Sequence, residues 1–148
     1  MDLYLGIDTS CYTTSVACVD EKGIVYDKRT VLSVKLGERG LRQSEGLFQH
    51  TRNLDAMLPE ALAHLNRPDI RGMAVSSRPR PEPDSYMPVF LAGRMAASAL
   101  CAGLGLTPIH TSHQQGHLRA ALYRNEFLME ELPMLGMHIS GGTTEIVI

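Results

Sequence analysis

The sequence predicts an α/β domain: a mixed sheet that begins as a three-stranded meander and is flanked by helices. Three observations lead there. Residues 3–33 hold three apolar, β-branched runs parted by short turns. After residue 45, segments with helical period alternate with short strand-like runs, the pattern of helices laid on the faces of a sheet. The chain then ends on two further short strands around paired glycines, a fresh hairpin that reads as a domain cut short.

The elements follow in order. Leu3 to Asp8 is a short apolar run, Ser15 to Val19 a second, and Ile24 to Ser33 a third, rich in Val, Ile, Tyr and Thr. Asp20-Glu21-Lys22-Gly23 supplies a turn between the last two. Lys35 to Ser44 is charged and reads as a loop. From Glu45, the residues Leu47, Phe48, Leu54, Met57, Leu58, Ala61, Leu62 and Leu65 fit one face of a helix. Pro59 should kink that helix or start a new first turn. Ile70 to Ser76 is the next strand. Ser77 to Pro88 holds four prolines and is a loop. Val89 to Leu104 has helical spacing, with Gly103 and Gly105 ending it. Thr107 to His110 is a brief strand. Ser112-His113-Gln114-Gln115 has the form of a capping box, so a helix is expected from there to about Tyr123. Leu135 to Ser140 and Thr144 to Ile148 are the closing strands. The expected organisation is one lobe over residues 1–132 and the first hairpin of a second lobe over 133–148.

Composition narrows the class. Hydrophobic residues make up 44% and charged residues 20% of 148, enough for one domain with a sizeable core. A formal net charge of −2 gives no basic field, so a nucleic-acid partner must be met by a local patch or another subunit. Cys11, Cys18 and Cys101 are odd in number and lack C-x-x-C spacing, which points to a reducing cytosol. No basic stretch precedes a long apolar run, and the stretch from Met95 to Leu106 is too short to span a bilayer. A soluble, cytoplasmic protein is expected, with no membrane partner. The eight methionines fall mostly at apolar positions and read as core packing. Arg78 to Asp84 alternates basic, proline and acidic residues, as a partner-binding or simply a solvated loop would.

Three motifs can carry chemistry. Asp8-Thr9-Ser10 closes the first strand; small hydroxyl residues in a tight turn expose N–H groups to phosphate oxygens, and Asp8 can orient a water or metal. The same residues also make an ordinary turn. Ser140-Gly141-Gly142-Thr143-Thr144 lets the backbone approach a phosphate closely, yet it also suits a plain hairpin. His113 and His117, four apart on one helix face, can meet a single metal at bond lengths of about 2.0–2.1 Å. Such a pair needs a third protein ligand, and His110 lies before the helix begins. One solvated and one packed histidine fit the spacing equally well. Hydrolysis on this helix would require a general base between the histidines. Gln114 and Gln115 stand there, and an amide takes no proton at neutral pH, which disfavours protease chemistry.

Taken together, the pieces resemble one family. Leu5-Gly6-Ile7-Asp8-Thr9-Ser10-Cys11 is similar to the L-G-I-E-T-S-C opening of the TsaD, or glycoprotease (O-sialoglycoprotein endopeptidase-like), family. His113-Gln114-Gln115-Gly116-His117-Leu118 resembles its H-M-E-G-H-L metal helix, and Ile139 to Thr144 resembles its S-G-G-H-T loop, in the same order and spacing. The resemblance covers essentially this whole chain, but only the first half of the family's usual length.

What the resemblance implies is an actin-like ATPase fold, two ribonuclease-H-like lobes around a nucleotide cleft. The activity would be transfer of threonylcarbamoyl from its adenylate to an adenosine of tRNA, with the present fragment inactive alone. His113 and His117 would hold iron or zinc together with an aspartate from the other half. Asp8, Thr9, Ser10, Ser140, Gly141, Gly142 and Thr143 would lie near ATP or the adenylate. Transfer RNA, and a same-fold lobe or second copy, would be the partners. The chain also departs from the pattern. Tyr12 and Thr13 replace two acids associated with catalysis, Thr143 replaces a histidine, and Gln115 a glutamate. Arg78 to Asp84 stands in place of a G-P-G-L turn. Such changes describe a divergent paralogue, whose alternative role is non-catalytic scaffolding or regulation; a metallopeptidase is the least favoured reading.

Overall fold

A computed structural model describes residues 1–123, 136–139 and 144–147. Its main sheet has five strands in the order β3-β2-β1-β4-β5. These are β1 (Leu3–Asp8), β2 (Thr13–Asp20), β3 (Gly23–Val31), β4 (Ile70–Arg78) and β5 (Ile109–Ser112). β1, β2 and β3 pair antiparallel as the expected meander, whereas β4 runs parallel to β1 and β5 parallel to β4. Among the described residues the helices are α1 (Gln43–His64), α2 (Phe90–Leu104) and α3 (His113–Leu122), with a 3₁₀ turn at Arg67–Asp69. β6 (Gly136–Ile139) and β7 (Thr144–Val147) form a separate antiparallel pair.

Period-two alternation fixes which face of the sheet is buried. Leu3, Leu5 and Ile7 of β1 point into the core with Val16 and Cys18 of β2 and Met73 and Val75 of β4. Leu54, Met57 and Ala61 of α1 and Ala92, Ala97 and Cys101 of α2 complete that cluster. Truncating a fully buried member such as Leu5 or Met57 to alanine is expected to cost about 2–5 kcal/mol. Gly93 sets how closely α2 approaches β1: a Cβ there would meet Thr9 Oγ1 at 3.0 Å and Ile7 Cγ2 at 3.3 Å.

Several boundaries differ from expectation: β5 lies two residues later than Thr107 to His110, β4 extends to Arg78 and α1 starts at Gln43. The helix runs unbroken through Pro59, which does not open a new one. Pro59 and Asp55, whose carbonyl loses its usual donor, are both exposed, so water can take the place of the missing N–H. Gly103 remains inside α2, and Gly105 alone ends it at φ 68°, its N–H on the carbonyls of Ala102 and Cys101.

Candidate functional site

β1, β4 and β5 are parallel, so their carboxyl ends share one edge of the sheet, the edge where open α/β sheets bind ligands. The register does the rest. Ile7 pairs with Val75 and Ser76 with Thr111, which brings Asp8 at the end of β1 beside Ser76 and the start of α3. Ser112 ends β5 and caps α3: its hydroxyl accepts from the Gln115 N–H at 3.1 Å, while Gln115 Oε1 accepts from the Ser112 N–H at 3.0 Å. That capping box was legible from the sequence. It also employs Gln115, one of the two glutamines between the histidines, in holding the helix start.

The first residue inside α3 is His113. Its Nδ1 lies 3.0 Å from Asp8 Oδ2, and its Nε2 lies 2.9 Å from Nε2 of His117 one turn later. The rings stand edge to face, 4.3 Å between centroids. Asp8 is further held by the Ser76 hydroxyl at 2.5 Å on Oδ2 and by the Ser10 N–H at 2.7 Å on Oδ1. Burial pushes the Asp8 carboxyl up, but the hydrogen bond and charge of His113, with Ser10 and Ser76, outweigh it and hold the group well below the usual carboxylate range. His117 is pushed down, first by burial and then by His113 and His138.

His138 on β6 is the residue that sequence reasoning passed over. Its ring lies 5.6 Å from that of His117, centroid to centroid, and its Nδ1 is buried without a hydrogen-bond partner. No spacing rule could have found it, because β6 lies beyond the helix in the chain. Ser76 was missed for the same reason.

The other expected site residues are distributed unevenly. Ser10 adjoins the histidines, its Oγ 3.5 Å from His113 Nε2. This gives Asp8, His113 and Ser10 the order of a nucleophile triad, but the last link is at the limit of a hydrogen bond and Ser10 is buried. Thr9 is fully buried, its hydroxyl donating to the Val89 carbonyl and accepting from the Gly93 N–H, so it ties α2 to β1. Cys11 is exposed at φ 46°, a left-handed corner in the turn closed by Thr13 N–H on Ser10 O. Burial and then Asp8 push its thiol up, which leaves it a poor nucleophile. Ser140, Gly141, Gly142 and Thr143 lie outside the described residues. A groove of about 610 Å³ between β3 and α1, lined among others by Lys28, Thr30, Arg52 and Met57, does not include the histidines.

The donor set suits a divalent ion of iron or zinc type. Two Nε2 atoms 2.9 Å apart are near the separation for two bonds of about 2 Å at a right angle on one six-coordinate ion, and a tetrahedral zinc would need them to part slightly; Asp8 backs one ring as carboxylates commonly do behind ligating histidines. Among the described residues, no group of three or more His, Cys, Asp or Glu side chains is gathered as a finished cage. Also among them, no helix is long and apolar enough to cross a membrane.

Comparison with known proteins adds the following. No family model matches the chain. It is 31% identical to a tRNA N6-adenosine threonylcarbamoyltransferase of Streptococcus suis, over 98% of this chain and 42% of that protein. Proteins of the same name from Bdellovibrio bacteriovorus (30%) and a Sulfurihydrogenibium species (31%) match over 96% and 97% of this chain. The chain thus spans about two-fifths of the length of these curated relatives. Among solved structures, YeaZ from Pseudomonas aeruginosa superposes with a TM-score of 0.62 at 16% identity, over 99% of this chain and 65% of that one. The fold is the actin-like ATPase fold.

Proposed function

With homology to the tRNA N6-adenosine threonylcarbamoyltransferases (TsaD) as the premise, we propose that this chain is the metal-bearing N-terminal part of a TsaD-like protein. Residues 1–132 would form one lobe and 133–148 the first hairpin of the next. The observation that carries the reading is the convergence of His113 and His117 Nε2 at the carboxyl edge of the sheet.

In this reading His113 and His117 hold an iron or zinc ion. The ion supplies a Lewis acid for the acyl donor's carbonyl oxygen. Asp8 and Ser76 hold the His113 ring still. Ser10 and residues 140–143 would lie near the phosphate side of ATP or an adenylate, and tRNA would be the acceptor of the whole protein in the cytoplasm. Gln115 is engaged in the helix cap and offers no base, which argues against peptide hydrolysis. This fragment alone is expected to bind metal and ATP weakly.

The test is transfer of labelled threonine to tRNA by the full-length protein, supplied with ATP, bicarbonate and the enzyme that makes threonylcarbamoyl-adenylate. Label that disappears in a His113→Ala, His117→Ala double variant supports the reading. No label, from a protein that still binds metal and nucleotide, overturns the transferase assignment and favours the scaffold role. That second role has its own support. Leu91 and Met95 of α2 are exposed apolar side chains that line one groove with Leu47 of α1, a surface suited to a partner lobe of the same fold.

A further inference from the structure

We infer that Asp8 is a positioning residue for His113 rather than a phosphate contact: its carboxylate holds the ring in the Nδ1–H tautomer and so turns the Nε2 lone pair toward His117. The inference deepens the metal reading above and rests on it for its function, though not for its geometry.

A carboxylate only accepts hydrogen bonds. Ser10 N–H occupies Oδ1, and the Ser76 hydroxyl shares Oδ2 with His113 Nδ1. For the 3.0 Å contact to be a hydrogen bond, Nδ1 must carry the proton. In a neutral imidazole the other nitrogen then holds the lone pair. That nitrogen, Nε2, is the one 2.9 Å from His117 Nε2. Two acceptors do not approach so closely, so in the metal-free chain His117 donates from Nε2 to His113. The arrangement is a relay in which one buried anion orders two rings. A cation arriving between them displaces the shared proton, which moves to His117 Nδ1 or to solvent, while the His113 ring keeps its orientation. Asp8 can do this because the parallel register of β1, β4 and β5 delivers it, Ser76 and His113 to one edge. The same three bonds fill Oδ2 and half of Oδ1, so most of the carboxylate's acceptor capacity is spent within the protein.

Asparagine at position 8 would reverse the sign. An amide nitrogen facing Nδ1 donates, which forces the proton onto Nε2 and masks the metal-binding lone pair. The experiment uses the chain labelled with ¹⁵N-histidine, free of metal, at a pH well above the ordinary imidazole value of about 6.5. Long-range ¹H–¹⁵N spectra should show His113 as Nδ1–H in the wild type and as Nε2–H in Asp8→Asn. Titration with Co²⁺, followed by its visible absorption, should show an affinity fall of about 10–100-fold in Asp8→Asn and a smaller one in Ser76→Ala. A wild-type His113 found as Nε2–H overturns the inference, as does an Asp8→Asn protein with unchanged tautomer and Co²⁺ affinity. Should Asp8→Asn fail to fold, the wild-type tautomer decides alone. Should the wild type take up no Co²⁺, the metal reading falls, while the tautomer still judges the role of Asp8.

Discussion

Two histidine sites in this molecule share ingredients and differ in purpose. His50 of α1 is fully buried against β2, its Nδ1 2.8 Å from the Thr14 hydroxyl, which also accepts from Asn53 Nδ2 at 2.9 Å. Every partner there is neutral and short, and burial pushes the imidazole pKa down. His113 is half-buried, at 26% side-chain exposure, and its partner is the carboxylate of Asp8. The first site ties a helix to a sheet. The second holds a ring at the sheet's edge with one nitrogen left to face outward. A histidine residue alone does not distinguish them; the charge of the partner and the open side do.

The largest expected effect that sharpens this contrast is on metal binding. The His113→Ala, His117→Ala double variant should lose more than about 100-fold in Co²⁺ or Zn²⁺ affinity by calorimetry, because both first ligands go. Its melting temperature should fall, because the Asp8 carboxylate loses its imidazole partner. A double variant that binds as the wild type does would erase the distinction between the sites.

His50→Leu should do the opposite. It leaves the Thr14 hydroxyl without its ring partner and is expected to cost about 1–3 kcal/mol by urea unfolding, with metal affinity unchanged. A fall in metal affinity equal to that of the double variant would show the two regions to be one.

A smaller effect is expected from pH. Because burial lowers the folded pKa of His50, the unfolded chain binds the proton more readily. The stability His50 contributes is therefore fully present above the unfolded value of about 6.5 and is lost as pH falls through the folded value. Chemical unfolding between pH 8 and pH 5 should show this slope in the wild type and a reduced one in His50→Leu.

The smallest expected effect is that of Gln115→Glu. Glutamate also closes a capping box, so stability should stay within about 0.5 kcal/mol, and no peptidase activity should appear, because the side chain faces the helix start. Cleavage of a peptide substrate by this variant would contradict that geometry.

The sequence by itself determined the element order, the meander, the capping box at Ser112 and the pairing of His113 with His117. Each of these depends on period, turn chemistry or spacing within a few residues, which local physics reads directly. It left open a new first turn at Pro59, where one helix continues, because whether a proline ends a helix depends on whether solvent reaches the freed carbonyl. It grouped Asp8 and Thr9 in one phosphate-facing turn, and it carried no signal for where each side chain points once β1 ends at Asp8. Thr9 turns inward to α2, and Asp8 turns to a histidine 105 positions later. Ser76 and His138 join them only through strand register and the placement of β6. Those contacts are non-local, and no periodicity encodes them; only packing the parallel strands side by side brought the carboxylate, the hydroxyl and the imidazoles to the same edge.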